Sequence, residues 1–139
     1  MEETLFTKII ERKVPAEIIY EDDDTVAFLD INPINPGHTL VVPKKPARNI
    51  LDVDEASWAA VMKTVHKLSG IVREATGADG INVDVNNEPA ADQVVFHLHA
   101  HVIPRFEGDG KVARERSAYG PGEMEAMAEK LRTLLKETV

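Results

Sequence analysis

The chain has 139 residues, 43% of them hydrophobic, with 24 acidic against 16 basic side chains and a formal net charge of −8. That length supports one compact core and is short for two, and the negative balance excludes the concentrated positive footprint that DNA, RNA or an anionic membrane requires. The absence of cysteine rules out disulfides, thiolate catalysis and cysteine-based metal centres, so any metal would depend on His, Asp or Glu. There is no apolar run of bilayer-spanning length, and Met1-Glu2-Glu3-Thr4 lacks the basic-then-apolar order of a secretory signal. A soluble, cytoplasmic protein is therefore expected, with neither a nucleic-acid polymer nor a membrane as partner.

In chain order, Leu5-Phe6-Thr7-Lys8-Ile9-Ile10 has the pattern of a short amphipathic helix that ends before Val14-Pro15. Residues 17–21 and 25–29 read as a strand pair joined by Asp22-Asp23-Asp24. The breaker-rich Asn32-Pro33-Ile34-Asn35-Pro36-Gly37 then delivers His38 to the start of a strand that Pro43 stops. From Asp54, an N-cap, the spacing of Trp58, Val61, Met62, Val65, Leu68 and Val72 predicts a helix running to Gly77. Residues 81–85 alternate as a strand, residues 86–93 form a loop, and residues 108–122 show no clear period. A last helix carries Met124, Met127, Leu131, Leu134 and Leu135 on one stripe. With no repeat or linker to divide it, residues 1–139 form a single α+β domain, an antiparallel sheet with two main helices packed on it.

The chemistry is concentrated in Phe96-His97-Leu98-His99-Ala100-His101-Val102-Ile103-Pro104-Arg105, which holds three of the five histidines. Alternation with period two reads as a strand, placing His97, His99 and His101 on one face and Leu98, Ala100 and Val102 on the other. Alternate strand residues are about 6.6 Å apart, so the row spans roughly 13 Å, a better match to a phosphate and its flanking atoms than to one metal ion. Imidazole acts as nucleophile, acid and base near neutrality. Two histidines at alternate positions can also share one zinc, so a histidine-based metal-binding module stands as an alternative. Lys44, Lys45, Arg48 and Arg105 lie near these segments and could form a local pocket for a small anion, or could be ordinary solvated residues. His66, beside the apolar stripe of the long helix, reads as a surface or boundary residue.

His97-Leu98-His99-Ala100-His101-Val102-Ile103 resembles the His-φ-His-φ-His-φ-φ signature (φ hydrophobic) of the histidine triad, or HIT, superfamily of nucleotide hydrolases and transferases. The resemblance extends to Phe28-Leu29-Asp30-Ile31-Asn32-Pro33, Pro36-Gly37-His38, Val41-Val42-Pro43-Lys44-Lys45 and residues 86–93, and so covers nearly the whole chain. It implies that His99 attacks the α-phosphorus of a nucleoside phosphate derivative to form a transient nucleotidyl-histidine, which water resolves. His101 would contact phosphate oxygens, and His97 and His38 would complete the network that orients the nucleophile.

Carried over residue by residue, Asp30 resembles the carboxylate that accepts ribose hydroxyls, Phe28 and Ile31 the apolar walls of a base pocket, and Asn86 and Gln93 polar groups near ribose and phosphate. On the residues alone, core packing is the favoured reading of Phe28 and Ile31, and a turn or capping role that of Asp30. Val94 stands where relatives often carry Ser or Thr, so one donor to phosphate or leaving group is missing. Glu88 and Asp92 stand where glycine is common, adding negative charge beside the phosphate site. Thr4, Thr7 and Pro46 occupy the places where some bacterial relatives hold a structural zinc, so no such metal and no cofactor is expected.

The implied activity is hydrolysis or transfer at the α-phosphate of purine nucleoside phosphoramidates or related nucleotides. The alternative is Fhit-like cleavage of dinucleoside polyphosphates, which the added acidic residues disfavour. A third possibility is a nucleotide-binding adaptor that has kept the pocket and lost rate. Relatives pair as two-fold homodimers that extend the sheet, and the resemblance implies the same here.

Overall fold

Apolar residues at successive positions of the central strands demand a sheet buried on both faces. In the computed structural model, which describes residues 3–112 and 114–138, β1 (Ile18–Glu21), β2 (Thr25–Leu29), β3 (Thr39–Pro43), β4 (Gly80–Val85) and β5 (Ala100–Arg105) form one sheet in the order β1-β2-β3-β5-β4. Every neighbouring pair is antiparallel. Three helices cover the sheet: α1 (Leu5–Ile10), α2 (Glu55–Thr76) and α3 (Glu123–Glu137). This is the α+β architecture the sequence predicts.

Ala27, Leu29, Val41, Ala100 and Val102 point to the face covered by α2 and α3, where they meet Val61, Leu68, Val72 and Leu131. Val26, Phe28, Leu40 and Val42 point the other way and pack with Phe6 and Ile9 of α1. Burying one such side chain contributes about 1.5–3 kcal/mol. A one-residue slip of any strand would exchange the two faces, so this two-sided burial fixes the register. In that register Leu40 lies opposite both Phe28 and His101, which puts His101 on the α1 face.

The helix ends follow local chemistry. Thr4 Oγ1 accepts the Thr7 N–H at 3.2 Å while Thr7 Oγ1 accepts the Thr4 N–H at 3.3 Å, a reciprocal cap on α1. Asp54 caps α2 by accepting from Ser57 N at 3.0 Å, and Gly77 ends it with φ of 71°. Gly37 is required where it stands: its φ is 100°, and an added Cβ would lie 2.7 Å from Thr76 Cγ2 at the end of α2.

Two segments differ from expectation. The strand bearing the histidines begins only at Ala100, so His97 and His99 precede it. Leu98 N–H donates to Ala47 O at 2.8 Å, and Pro43 O is taken by His97 Nε2 at 3.0 Å, so the ladder with β3 is confined to residues 100–102. The aperiodic connection at 106–122 is a strap tied by distant contacts. Asp109 accepts from Arg105 Nε at 2.9 Å and Asn35 Nδ2 at 3.1 Å, Ser117 N donates to Pro33 O at 2.8 Å, and Gly37 N donates to Tyr119 Oη at 2.9 Å. Among the described residues, no helix is long and apolar enough to cross a membrane.

Candidate active site

Four histidines converge on the α1 face, and the backbone determines where each ring carries its proton. A peptide N–H only donates and a carbonyl only accepts, so the partner of each ring nitrogen names its tautomer. Ile34 N–H donates to His38 Nδ1 at 3.0 Å, which leaves the His38 proton on Nε2. That Nε2–H donates to His101 Nδ1 at 2.9 Å, so His101 carries its own proton on Nε2. His99 Nδ1 donates to His97 O at 2.8 Å, which leaves His99 Nε2 with a bare lone pair. His97 Nε2 donates to Pro43 O, and its Nδ1 is a buried acceptor with no partner among the described residues.

This argument requires neutral rings, and burial supplies that condition. Burial is the largest influence on all four and lowers each below the ordinary histidine value of 6.5. His38 falls to about 4, with the Asp30 carboxylate opposing and Arg116 adding to the drop. His101 falls to about 2, with His99 and His38 assisting. For His97 and His99 the carbonyls of Pro43 and His97 oppose the burial and reduce the fall.

His99 and His101, with ring centroids 4.9 Å apart, both line a cavity of about 380 Å³, a volume within the usual range for small-molecule sites. Neither Nε2 atom has a hydrogen-bond partner among the described residues. Phe6 stands edge-on to His99 at 4.9 Å and packs on Phe28 at 5.3 Å, so α1 walls the His99 ring.

The structure brings most of the expected residues to this cavity. Phe28, Asp30, Asn86, His99 and His101 line it, and Ile31 and Val94 stand at its rim, 63% and 82% exposed. His38 and His97 lie behind the lining as fully buried supports. Gln93 does not line it. Its Oε1 accepts from Glu88 N at 2.7 Å and Asn49 Nδ2 at 3.0 Å, while its Nε2 donates to Arg48 O at 2.7 Å and Val95 O at 3.1 Å. The side chain is a strut for the 86–93 loop rather than a contact for ribose or phosphate.

The expected cations are also elsewhere. Lys44 pairs with Glu21 at 2.9 Å, Lys45 with Asp54 at 3.3 Å, Arg48 with Glu88 at 2.8 Å and Arg105 with Asp109 at 2.9 Å, and none of the four lines the cavity. Arg116 of the strap does line it. Its Nη1 donates to Asp30 Oδ2 at 2.6 Å and to Asn32 O at 2.8 Å. Sequence reasoning missed Arg116 because its surroundings carry no period, and missed the role of Phe6 because a helical stripe does not name what it packs on. Glu88 turns its charge away to Arg48 and Asn49, so of the two acidic loop residues only Asp92 lines the cavity. Both have positive φ, 77° and 69°, a backbone state that glycine adopts most readily.

Among the described residues, Asp30, His38 and His101 are the group whose potential metal-ligand atoms converge, all within 4.8 Å of one another. A metal there would have to replace both the His38–His101 hydrogen bond and the Asp30–Arg116 pair. One nitrogen of His97 and one of His99 are tied to separate carbonyls and are not free to bind a metal.

Comparison with known proteins agrees with this geometry. The HIT domain model matches residues 11–108. A HIT-like protein of Bartonella henselae is 44% identical and superposes with a TM-score of 0.86 over 94% of this chain and 95% of that one. A hypothetical histidine triad nucleotide-binding protein of Sulfolobus tokodaii is 36% identical, with a TM-score of 0.87 over 95% and 91% of the two chains. The adenylylsulfatase of Arabidopsis thaliana is 41% identical over 105 residues, 76% of this chain and 53% of that protein. With four histidines, a walled cavity and these relatives in agreement, the chain belongs to the histidine triad (HIT) family of nucleotide-binding proteins and hydrolases.

Proposed function

We propose that this protein is a phosphoramidase-type nucleotidyl hydrolase or transferase in which His99 Nε2 attacks the α-phosphorus of a purine nucleoside phosphoramidate or a related nucleotide. The observation that carries this reading is the donation from His99 Nδ1 to His97 O, which leaves the one lone pair on the opposite nitrogen, facing the cavity. Attack forms an Nε2–P bond and breaks the P–N bond, whose electron pair leaves with the amine as that amine gains a proton. Water then cleaves the nucleotidyl-histidine, releasing the nucleoside monophosphate and restoring the neutral ring. Splitting the displacement in two lowers the barrier of each part.

The supporting residues follow from their positions. His101 Nε2–H donates to phosphoryl oxygens, where donors aimed at rearranging charge contribute most. His38 holds His101 in the donating tautomer, and His97 holds the carbonyl that orients His99. Phe28 and Ile31 flank the base, Asp30 accepts ribose hydroxyls, and Asn86 reaches the phosphate side. Val94 supplies no donor, which slows turnover relative to a hydroxyl-bearing side chain at that place.

Asp92 in the cavity disfavours an extended polyphosphate, and the name of the Arabidopsis relative supports chemistry at a small adenylyl compound. The test is kcat/KM for adenosine 5′-phosphoramidate, adenylylsulfate and a diadenosine polyphosphate. A preference of about tenfold or more for the first two over the third is expected, the size of one lost charge-assisted contact. The reverse order would replace this reading with the Fhit-like one. The same reading includes a two-fold homodimer in which the open edge of β4, where Val83 is 45% exposed, extends the sheet into a second copy.

A further inference from the structure

Arg116 is the one Lys or Arg among the cavity-lining residues, and only part of its guanidinium is engaged. Nη1 holds Asp30 Oδ2 and Asn32 O, while Nη2 and Nε have no hydrogen-bond partner among the described residues. The side chain is 47% exposed and Asp30 only 13%, so the pair sits at the cavity wall with its unengaged donors open to solvent. The backbone behind it is pinned, because Ser117 N and Oγ both donate to Pro33 O, at 2.8 and 2.7 Å. The fork is therefore oriented in advance, with three N–H donors, on Nη2 and Nε, left over.

Asp30 has acceptor capacity to match. A carboxylate offers about four acceptor positions. Asn32 N–H occupies one on Oδ1 at 2.9 Å and Arg116 one on Oδ2. A ribose hydroxyl can thus bind Asp30 without expelling Arg116. If the neighbouring hydroxyl carried a phosphate, that group would reach the unengaged side of the guanidinium, and the carboxylate charge beside it would stay neutralised by the same arginine. In dinucleotide sites, too, an arginine near the ribose accommodates a 2′-phosphate, whereas a carboxylate takes the free hydroxyl.

We propose that Arg116 forms a second anion subsite, selecting nucleotides that carry a phosphate on the 2′ or 3′ hydroxyl as well as on the 5′ position. This subsite rests on the nucleotide reading of the cavity. The planar fork suits such a group because charge-assisted, paired N–H···O bonds discriminate a phosphate from a neutral hydroxyl.

The test is calorimetric binding of adenosine 5′-monophosphate, adenosine 2′,5′-bisphosphate and adenosine 3′,5′-bisphosphate to the wild type, Arg116→Ala and Arg116→Lys, read as the ratio of bisphosphate to monophosphate affinity in each protein. Taking the ratio removes any change that a variant causes in monophosphate binding itself. One bisphosphate should bind about tenfold tighter than the monophosphate in the wild type, the order of one charge-assisted contact. The ratio should fall to near one in Arg116→Ala and part of the way in Arg116→Lys, which keeps the charge and loses the fork. Wild-type monophosphate binding with a ratio near one, or a preference that survives in Arg116→Ala, overturns the subsite and leaves the nucleotide reading standing. Absence of binding by all three nucleotides ends both.

Discussion

The 2.9 Å hydrogen bond from His38 Nε2 to His101 Nδ1 transmits a backbone constraint to a ring that faces the cavity. Ile34 N–H occupies His38 Nδ1, and through this one bond it decides that His101 carries its proton on Nε2. The site is therefore set by peptide groups rather than by ionised side chains. Its predictions concern tautomers and burial more than charge.

Replacing His38 by Ala removes the ring that fixes His101 and leaves Ile34 N–H and His101 Nδ1 without partners in a buried site. The variant should lose about 1–3 kcal/mol of stability for each buried group left unsatisfied. It should also lose a factor of about 10² in kcat, the lower end of what one hydrogen-bond donor aimed at developing charge supplies. Urea unfolding and steady-state kinetics check the two effects separately. A variant with unchanged kcat would show that His101 does not need its partner.

Acidification should destabilise the protein through these rings. Their folded values lie below the unfolded 6.5, so between about pH 4, the folded value for His38, and pH 6.5 the unfolded chain binds more protons. The stability from neutral burial is fully present above 6.5 and falls as pH drops through that window. For His38 alone the loss is on the order of 3 kcal/mol. Urea midpoints at pH 7.5 and 5.0 should differ, and the difference should shrink in His38→Phe. The acid limb of kcat/KM should likewise lie below 6.5, and an apparent value at or above 6.5 would contradict a nucleophile held neutral by burial.

Gln93→Leu tests the strut. It leaves Glu88 N and Arg48 O unpaired beneath a loop with two residues at positive φ. A loss of about 2–6 kcal/mol is expected from two unsatisfied groups at about 1–3 kcal/mol each. The change should raise KM more than it lowers kcat, because the loop carries Asn86 and Asp92 to the cavity wall. A contact residue with no structural role would give the kinetic change at full stability.

Light scattering on a sizing column should report twice 15.4 kDa for the wild type. Val83→Lys, which places a charge on the exposed edge of β4, should shift the mass toward one chain. A wild-type mass of one chain would remove the homodimer from the account.

The parts of this molecule that the sequence announces are those specified by neighbours along the chain. Asp54 and Gly77 bound α2 to the residue because capping needs only local groups. The row of His97, His99 and His101 is legible because its spacing is local, whereas the breaker-rich turn places His38 at a strand start and only the family resemblance joins it to the row. Arg116 was not, since it reaches Asp30 across 86 positions through a strap held by Ser117 and Tyr119 rather than by any periodic pattern. The direction Gln93 faces is not legible, because residue type identifies a polar group but not where it points, and here Asn49 and Arg48, distant in sequence, engage it together with Glu88 N and Val95 O. The strand boundary at Ala100 moved for a related reason, the capture of Pro43 O by His97.

The central claim is that His99 Nε2 becomes covalently nucleotidylated. Rapid acid-free denaturation during turnover of adenosine 5′-phosphoramidate, followed by peptide mass spectrometry, should find one adenylyl group on the peptide containing residues 97–101, with fragmentation placing it on His99. The adduct should be absent from His99→Ala, which should also fail to turn over. Turnover by His99→Ala at the wild-type rate, or an adduct located on His97 or His101, would contradict the account.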